Sequence, residues 1–138
     1  MKTLYTAVSR AHGGRDGHVR SSDGIIDLDL RTPKEMGGPG GTGTNPEQLF
    51  ASGYAACFES AMRVLARKQK LPLADASVTG HVSFNVTEQG KYVHSVELHG
   101  KVDGLSREEA EALMRAAHEV CPYSNATRGN VDVKLVAE

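Results

Sequence analysis

Cysteine is scarce in this chain: two of 138 residues, Cys57 and Cys121, lie 64 positions apart with no CxxC between them. That spacing argues against a thioredoxin-like redox motif. A reducing cytosol makes a permanent structural disulfide unusual but leaves room for a transient one. Neither sign of charge is in excess. Lys and Arg number 16, Asp and Glu 17, for a net charge of −1. The signs are interspersed, so there is no electrostatic footprint for nucleic acid or an anionic membrane. No run approaches about 18 apolar residues free of charge, so no membrane span is expected. The first residues, MKTLYTAVSRAHGG, lack the apolar centre of a signal peptide, which makes a cytoplasmic location the default. The Gly-dense EMGGPGGTGT is not a phosphate-binding loop, because no Gly-Lys-Ser/Thr follows it.

What is present reads as one globular domain over residues 1–138. Apolar residues make up 39% and charged residues 24%, enough for a real core. LYTAV and IIDLDL alternate as strands do, the second with Ile26, Leu28 and Leu30 on one face. Between them GGRDGHVRSSDG is turn-rich, with a short extended piece around His18 to Arg20. NPEQLF opens a helix: Asn45 caps it, Pro46 suits its first position and Gln48 completes a capping box. Leu49, Phe50, Gly53, Cys57, Ala61, Val64 and Leu65 then share one stripe at helical spacing. Ala51, Tyr54, Ala55, Phe58 and Met62 extend the apolar surface, leaving Ser52, Glu59, Arg63 and Arg67 as a narrow polar edge. A helix apolar on nearly every side is buried on nearly every side. In so short a chain this predicts a second subunit packed over Tyr54, Phe58 and Met62.

Two long alternating segments follow, centred on Val78 to Val86 and Tyr92 to Val102, joined at TEQGK by a hairpin turn. SREE, residues 106 to 109, is a capping box. It opens a helix striped by Ala110, Leu113, Met114, Ala117 and Cys121 and stopped by Pro122; VDVKLV closes the chain as a strand. The expected order β-β-β-α-β-β-α-β gives an α+β fold, mostly antiparallel.

Both cysteines fall on the apolar faces of their helices. If those helices pack together the sulfurs can meet, since a disulfide needs Cα atoms within roughly 7 Å. Two buried cysteines on core helices also need no function at all, and spacing alone leaves both readings open. A reactive Cys57 meets a physical objection. Apolar burial raises a thiol pKa, whereas the thiolate is the reactive form. A nucleophile here needs a cation, and Arg63 and Arg67 lie on the polar edge of the helix, facing elsewhere. The cation has to come from another segment. No metal-ligand pattern unites the histidines; His118 and Cys121, three apart, are too few for a zinc site. Taken alone, Arg15 is a solvated turn residue and Glu47 a first-turn acid complementing the helix dipole.

Three stretches go beyond composition. GGRDG at 13–17, TNPEQLFASGYAACF at 44–58 and VCPYSNATRGN at 120–130 resemble signature segments of the organic hydroperoxide resistance proteins of the Ohr/OsmC family. The resemblance covers essentially the whole chain and is loosest between about residues 61 and 105. It implies a thiol-dependent peroxidase that reduces organic hydroperoxides, alkyl or fatty acid, to alcohols. In it Cys57 is the peroxidatic cysteine and Cys121 the resolving one. Arg15 is the missing cation and Glu47 its carboxylate partner. No cofactor or metal is bound; the reductant is an external dithiol, the dihydrolipoyl group of a lipoylated protein. The implied fold is an intertwined homodimer, antiparallel sheets wrapping central helices. Phe50, Tyr54, Phe58 and Met36 are candidate walls of an apolar substrate pocket. Glu47 and Cys57 are ten positions apart, about 15 Å along a straight helix. The helix therefore breaks near Gly53, or the Glu47–Arg15 pair spans part of that distance, or a site at the dimer interface combines residues of both subunits. The alternative is a non-catalytic member of the same fold that binds an apolar small molecule.

Overall fold

A computed structural model describes all residues, 1–138. Contacts divide the chain into two compact units, Met1–Leu49 and Phe50–Glu138. No helix is long and apolar enough to cross a membrane.

In the first unit three short strands form an antiparallel sheet in sequence order: β1 (Ser9–His12), β2 (His18–Ser21) and β3 (Asp27–Asp29). LYTAV, expected as a strand, is not one; pairing begins at Ser9. Only its last residue is tied across, the Val8 carbonyl accepting from Ser22 N–H at 2.9 Å, and Leu4 and Tyr5 stay exposed. IIDLDL does supply β3, but of its apolar face only Leu30 is buried, while Ile26 and Leu28 are 39% and 42% exposed. A three-stranded sheet with no second layer in its own unit cannot cover its apolar side. A 3-10 turn spans Gly14–Asp16 and another Lys34–Met36.

Helix α1 (Pro46–Lys68) begins as the sequence predicts, with Gln48 N–H donating to Asn45 Oδ1 at 2.8 Å. The box is altered: Gln48 Oε1 accepts from the Thr44 hydroxyl at 2.9 Å. The helix runs without a break through Gly53, so the interruption considered there does not occur.

In the second unit β4 (Asp75–Val86) and β5 (Tyr92–Asp103), twelve residues each, form an antiparallel hairpin. Gly90, with φ of 79°, takes the left-handed position of its turn. β6 (Asp132–Ala137) pairs with β5 in parallel, a departure from an antiparallel plan. Parallel pairing needs a long crossover, and the helices between β5 and β6 supply it. The first, α2 (Arg107–Val120), carries the predicted box: Glu109 N–H donates to Ser106 Oγ, and Ser106 N–H to Glu109 Oε1. Pro122 does more than stop α2. It stands first in a further helix, α3 (Pro122–Thr127), where its missing N–H costs nothing.

The core of this unit joins Tyr54, Phe58, Met62 and Ala66 of α1 to Leu113, Met114 and Ala117 of α2 and Val96 and Leu98 of β5. This corrects two expectations. The innermost stripe of α1 is the i, i+4 line through Tyr54, not the neighbouring one through Cys57. And Tyr54, Phe58 and Met62, assigned to a subunit interface, are fully covered by their own chain. Two adjacent apolar stripes satisfy the same periodicity, and only packing chooses between them. Val64, on the other stripe, remains 45% exposed.

Candidate functional site

Four of the predicted site residues come together as two pairs, one in each unit. In the first, GGRDG bends sharply because Gly13 and Gly14 hold φ of 82° and 62°. The bend carries Arg15 in the 3-10 turn. Its guanidinium meets Glu47, in the first turn of α1, through two parallel bonds: Nη1 to Oε2 and Nη2 to Oε1, both 2.8 Å. This fork-to-fork geometry is the strong form of the ion pair. The Glu47 hydrogen bond is the chief reason the Arg15 pKa rises, against a smaller opposing effect of burial. Arg15 is thus a fixed cation and not a freely solvated turn residue.

In the second unit the sulfurs of Cys57 and Cys121 are 3.4 Å apart, the Cys121 thiol donating to Cys57 Sγ, with no disulfide between them. Cys57 is half-buried on α1; Cys121 is fully buried between α2 and α3. Burial is the main force pushing the Cys57 thiol pKa up, and the neighbouring Cys121 adds to it. A hydrogen bond from the Tyr123 backbone pulls the other way. Tyr123 can come this close because residue 53 is glycine: a Cβ there would sit 2.6 Å from the Tyr123 hydroxyl. The Tyr123 ring stacks on Phe50, centroids 6.0 Å apart at 22°, and packs at a tilt against Tyr54.

A cavity of about 440 Å³ opens beside Cys57. Ser60, Ala61, Val64 and Leu65 of α1 line it with Val120 and Pro122, and Lys68 stands at its end. The aromatic residues expected as its wall lie elsewhere: Tyr54 and Phe58 are in the core, and Phe50 packs with Tyr123. Large apolar side chains on a helix are drawn to the closed interior, and the smaller ones are left to line the opening. Met36 lies half-buried in its 3-10 turn of the first unit. No three His, Cys, Asp or Glu side chains gather as a metal set; His118, weighed as a ligand with Cys121, turns its Nδ1 to the Ser124 hydroxyl at 2.8 Å.

Sequence reasoning missed the Tyr123 backbone contact and the polar cluster of Tyr54, Ser124, Thr127 and His118 beneath it. Their signal was present in CPYSNAT, whose Ser and Thr are spaced three apart on a helical turn, but it carries no partner information.

The chain is similar to known proteins along most of its length. The family model described as OsmC-like protein matches residues 38–136. The chain is 51% identical over 135 residues to an organic hydroperoxide resistance protein of Xanthomonas axonopodis pv. citri, covering 97% of this chain and 94% of that one. A crystal structure of an organic hydroperoxide resistance protein from Legionella pneumophila superposes with a TM-score of 0.94 at 58% identity, covering 99% of each chain. The Bacillus subtilis protein OhrB superposes with a TM-score of 0.90 at 47% identity, over 99% of this chain and all of that one.

Proposed function

The chain belongs to the OsmC-like protein family, and from that premise we propose that it serves in organic hydroperoxide resistance as a cysteine-based peroxidase. The observation that carries the reading is the 3.4 Å contact between the Cys57 and Cys121 sulfurs. It suits a two-cysteine redox cycle, in which a resolving thiol must wait beside the one that is oxidised.

The Cys57 thiolate attacks one oxygen of ROOH. The O–O bond breaks, the alkoxide takes a proton and leaves as ROH, and Cys57 becomes a sulfenic acid. Cys121 then attacks the Cys57 sulfur, an S–S bond forms and water departs. An external dithiol reopens the disulfide by exchange; we assign a dihydrolipoyl group to that part. Burial alone disfavours the Cys57 thiolate, so the cycle needs a cation. Arg15, pinned by Glu47, is the group we assign to stabilise the thiolate and the developing alkoxide.

A homodimer completes the reading. The first unit buries Leu30 but exposes Leu4, Tyr5, Val8, Ile25, Ile26 and Leu28. So much apolar surface on so small a unit marks an interface, and a second copy of the chain is its occupant. Each catalytic site then lies near the subunit boundary, where Arg15 and Glu47 serve Cys57. The cavity beside Cys57 favours hydroperoxides with an alkyl body, since hydrogen peroxide has no carbon to bury.

The test is peroxide consumption by the purified protein with cumene hydroperoxide, comparing dihydrolipoamide with thioredoxin as reductant. Turnover with dihydrolipoamide and not with thioredoxin supports the whole reading. Consumption by neither, with both thiols unmodified, refutes it and leaves small-molecule binding in the cavity.

A further inference from the structure

The hinge between α2 and α3 contains a buried chain of hydroxyls that the mechanism above does not use. Cys121 is the single residue separating those helices. Its N–H bonds the Ala117 carbonyl at 2.8 Å, closing α2, and its carbonyl accepts from Asn125 N–H at 2.9 Å, opening α3. The position of its sulfur therefore depends on the angle between α2 and α3 and on how α3 docks against α1.

Ser124 secures both. Its Oγ is 2.8 Å from His118 Nδ1, in the last turn of α2, and 2.9 Å from the Tyr54 hydroxyl on α1. The Tyr54 hydroxyl is also 3.0 Å from Thr127 Oγ1, and the Thr127 hydroxyl donates to the Ser124 carbonyl at 3.2 Å. Tyr54 and Ser124 are fully buried and Thr127 nearly so. The ties sit close to the sulfurs: Tyr54 is three residues before Cys57, and His118 and Ser124 are three before and three after Cys121.

Counting protons fixes the direction of the chain. Four contacts need four hydrogens, and the three hydroxyls supply one each. The fourth comes from His118 Nδ1–H. His118 donates to Ser124, Ser124 to Tyr54, Tyr54 to Thr127, and Thr127 to the Ser124 carbonyl. Every hydroxyl then donates once and accepts once. Burial first, then Arg128, lowers the His118 pKa, which favours the neutral ring.

We propose that Tyr54, Ser124, Thr127 and His118 are positioning residues for the resolving step, holding the Cys121 sulfur in reach of an oxidised Cys57. The inference rests on the reading that a hydroperoxide oxidises Cys57 and Cys121 resolves it. In that step the Cys121 sulfur attacks the sulfenic sulfur and the S–O bond breaks. The departing hydroxide takes the Cys121 thiol proton and leaves as water. The sulfurs close from 3.4 Å to about 2.05 Å, so a small swing of the hinge is enough to delay bond formation. Delay has a chemical consequence, because an unresolved sulfenic acid is open to irreversible oxidation.

Rapid-quench reaction with cumene hydroperoxide, with dimedone trapping and mass spectrometry, separates the two steps. Tyr54→Phe removes only a phenolic oxygen; Thr127→Val removes a hydroxyl and keeps the shape; Thr127→Ser keeps the hydroxyl. In Tyr54→Phe and Thr127→Val, disulfide formation slows at least fivefold and trapped Cys57 sulfenic acid and sulfinic acid rise. The first oxidation, linear in peroxide, stays within twofold of wild type. Thr127→Ser resolves as wild type does. Val96→Ala loosens the core without touching the chain and keeps the wild-type resolution rate. Nitrogen NMR of His118 shows the Nδ1–H tautomer in the wild type and loses that signature in Ser124→Ala. Wild-type resolution in both Tyr54→Phe and Thr127→Val overturns the inference, as does equal slowing in Val96→Ala. Failure to oxidise Cys57 in the wild-type protein overturns instead the peroxidase reading beneath it.

Discussion

Arg15 grips Glu47 across 32 residues of sequence with two 2.8 Å bonds. A lysine cannot reproduce that fork. If the pair serves the Cys57 thiolate, Arg15→Ala raises the thiol pKa by about 1 unit or more, the usual effect of removing a nearby opposite charge. Alkylation near pH 7 then slows about tenfold. Arg15→Lys and Glu47→Gln recover part of the rate. The pH profile of iodoacetamide labelling measures this, and an unchanged profile in Arg15→Ala removes Arg15 from the mechanism.

Cys121→Ser reacts once with peroxide and then stops, because the contact that closes the disulfide is gone. Cys57 accumulates as sulfenic acid and passes to sulfinic acid as peroxide is added. Cys57→Ser shows no turnover. Intact-mass analysis of the treated Cys121→Ser protein is the check, and an unmodified Cys57 contradicts the nucleophile assignment.

Gly53→Ala tests the close approach of Tyr123. Helix propensity favours the alanine by about 1 kcal/mol, but its Cβ meets the Tyr123 hydroxyl at 2.6 Å, and overpacking costs about 1–3 kcal/mol. The substitution is therefore destabilising in the wild-type background. In Tyr123→Phe the clashing oxygen is gone but the ring carbons at 3.1 and 3.3 Å remain, so the same substitution costs less than it does in the wild type. Thermal unfolding of the four proteins gives the sign directly.

His18 sits between two carboxylates of β3, Asp29 and Asp27, and its pKa is raised chiefly by its hydrogen bonds to them. A raised histidine pKa stabilises the folded state fully below the unfolded value, near 6.5. That contribution is lost as pH rises through the folded value. The stability difference between wild type and His18→Asn is therefore greatest in mild acid and narrows above neutrality. Thermal melts of both proteins across pH 5 to 9 follow it, and a difference independent of pH removes the charge from the account.

Leu28 is 42% exposed on β3, so Leu28→Asp disturbs little within its own unit. If a second copy covers that face, the change weakens dimerisation by at least tenfold and lowers peroxidase activity with it. Ala56→Glu, on the exposed side of α1, has the same effect if that side adjoins the boundary. Light scattering at micromolar concentration is the measurement. A fully active monomer in the wild type rules out a site shared between subunits.

The sequence by itself determined what depends on residues a few positions apart. The Asn45 cap, the Ser106–Glu109 box and the turn at Gly90 are local bonds and local dihedrals, and each lies where the pattern put it. The three signature stretches likewise pointed to the family through their own residues. The tertiary structure decided what depends on distant partners. It chose the Tyr54 stripe of α1 over the Cys57 stripe, because both satisfy one period and only the sheet and α2 offer a closed surface. It turned β6 parallel to β5 and split the last helical segment at Cys121. It also brought Cys57 to Cys121 and Tyr54 to Ser124, 64 and 70 residues apart. Periodicity says that a side chain is apolar and faces inward; which atom it meets there is set by the packing of whole elements, and the chemistry of this site lies in those meetings.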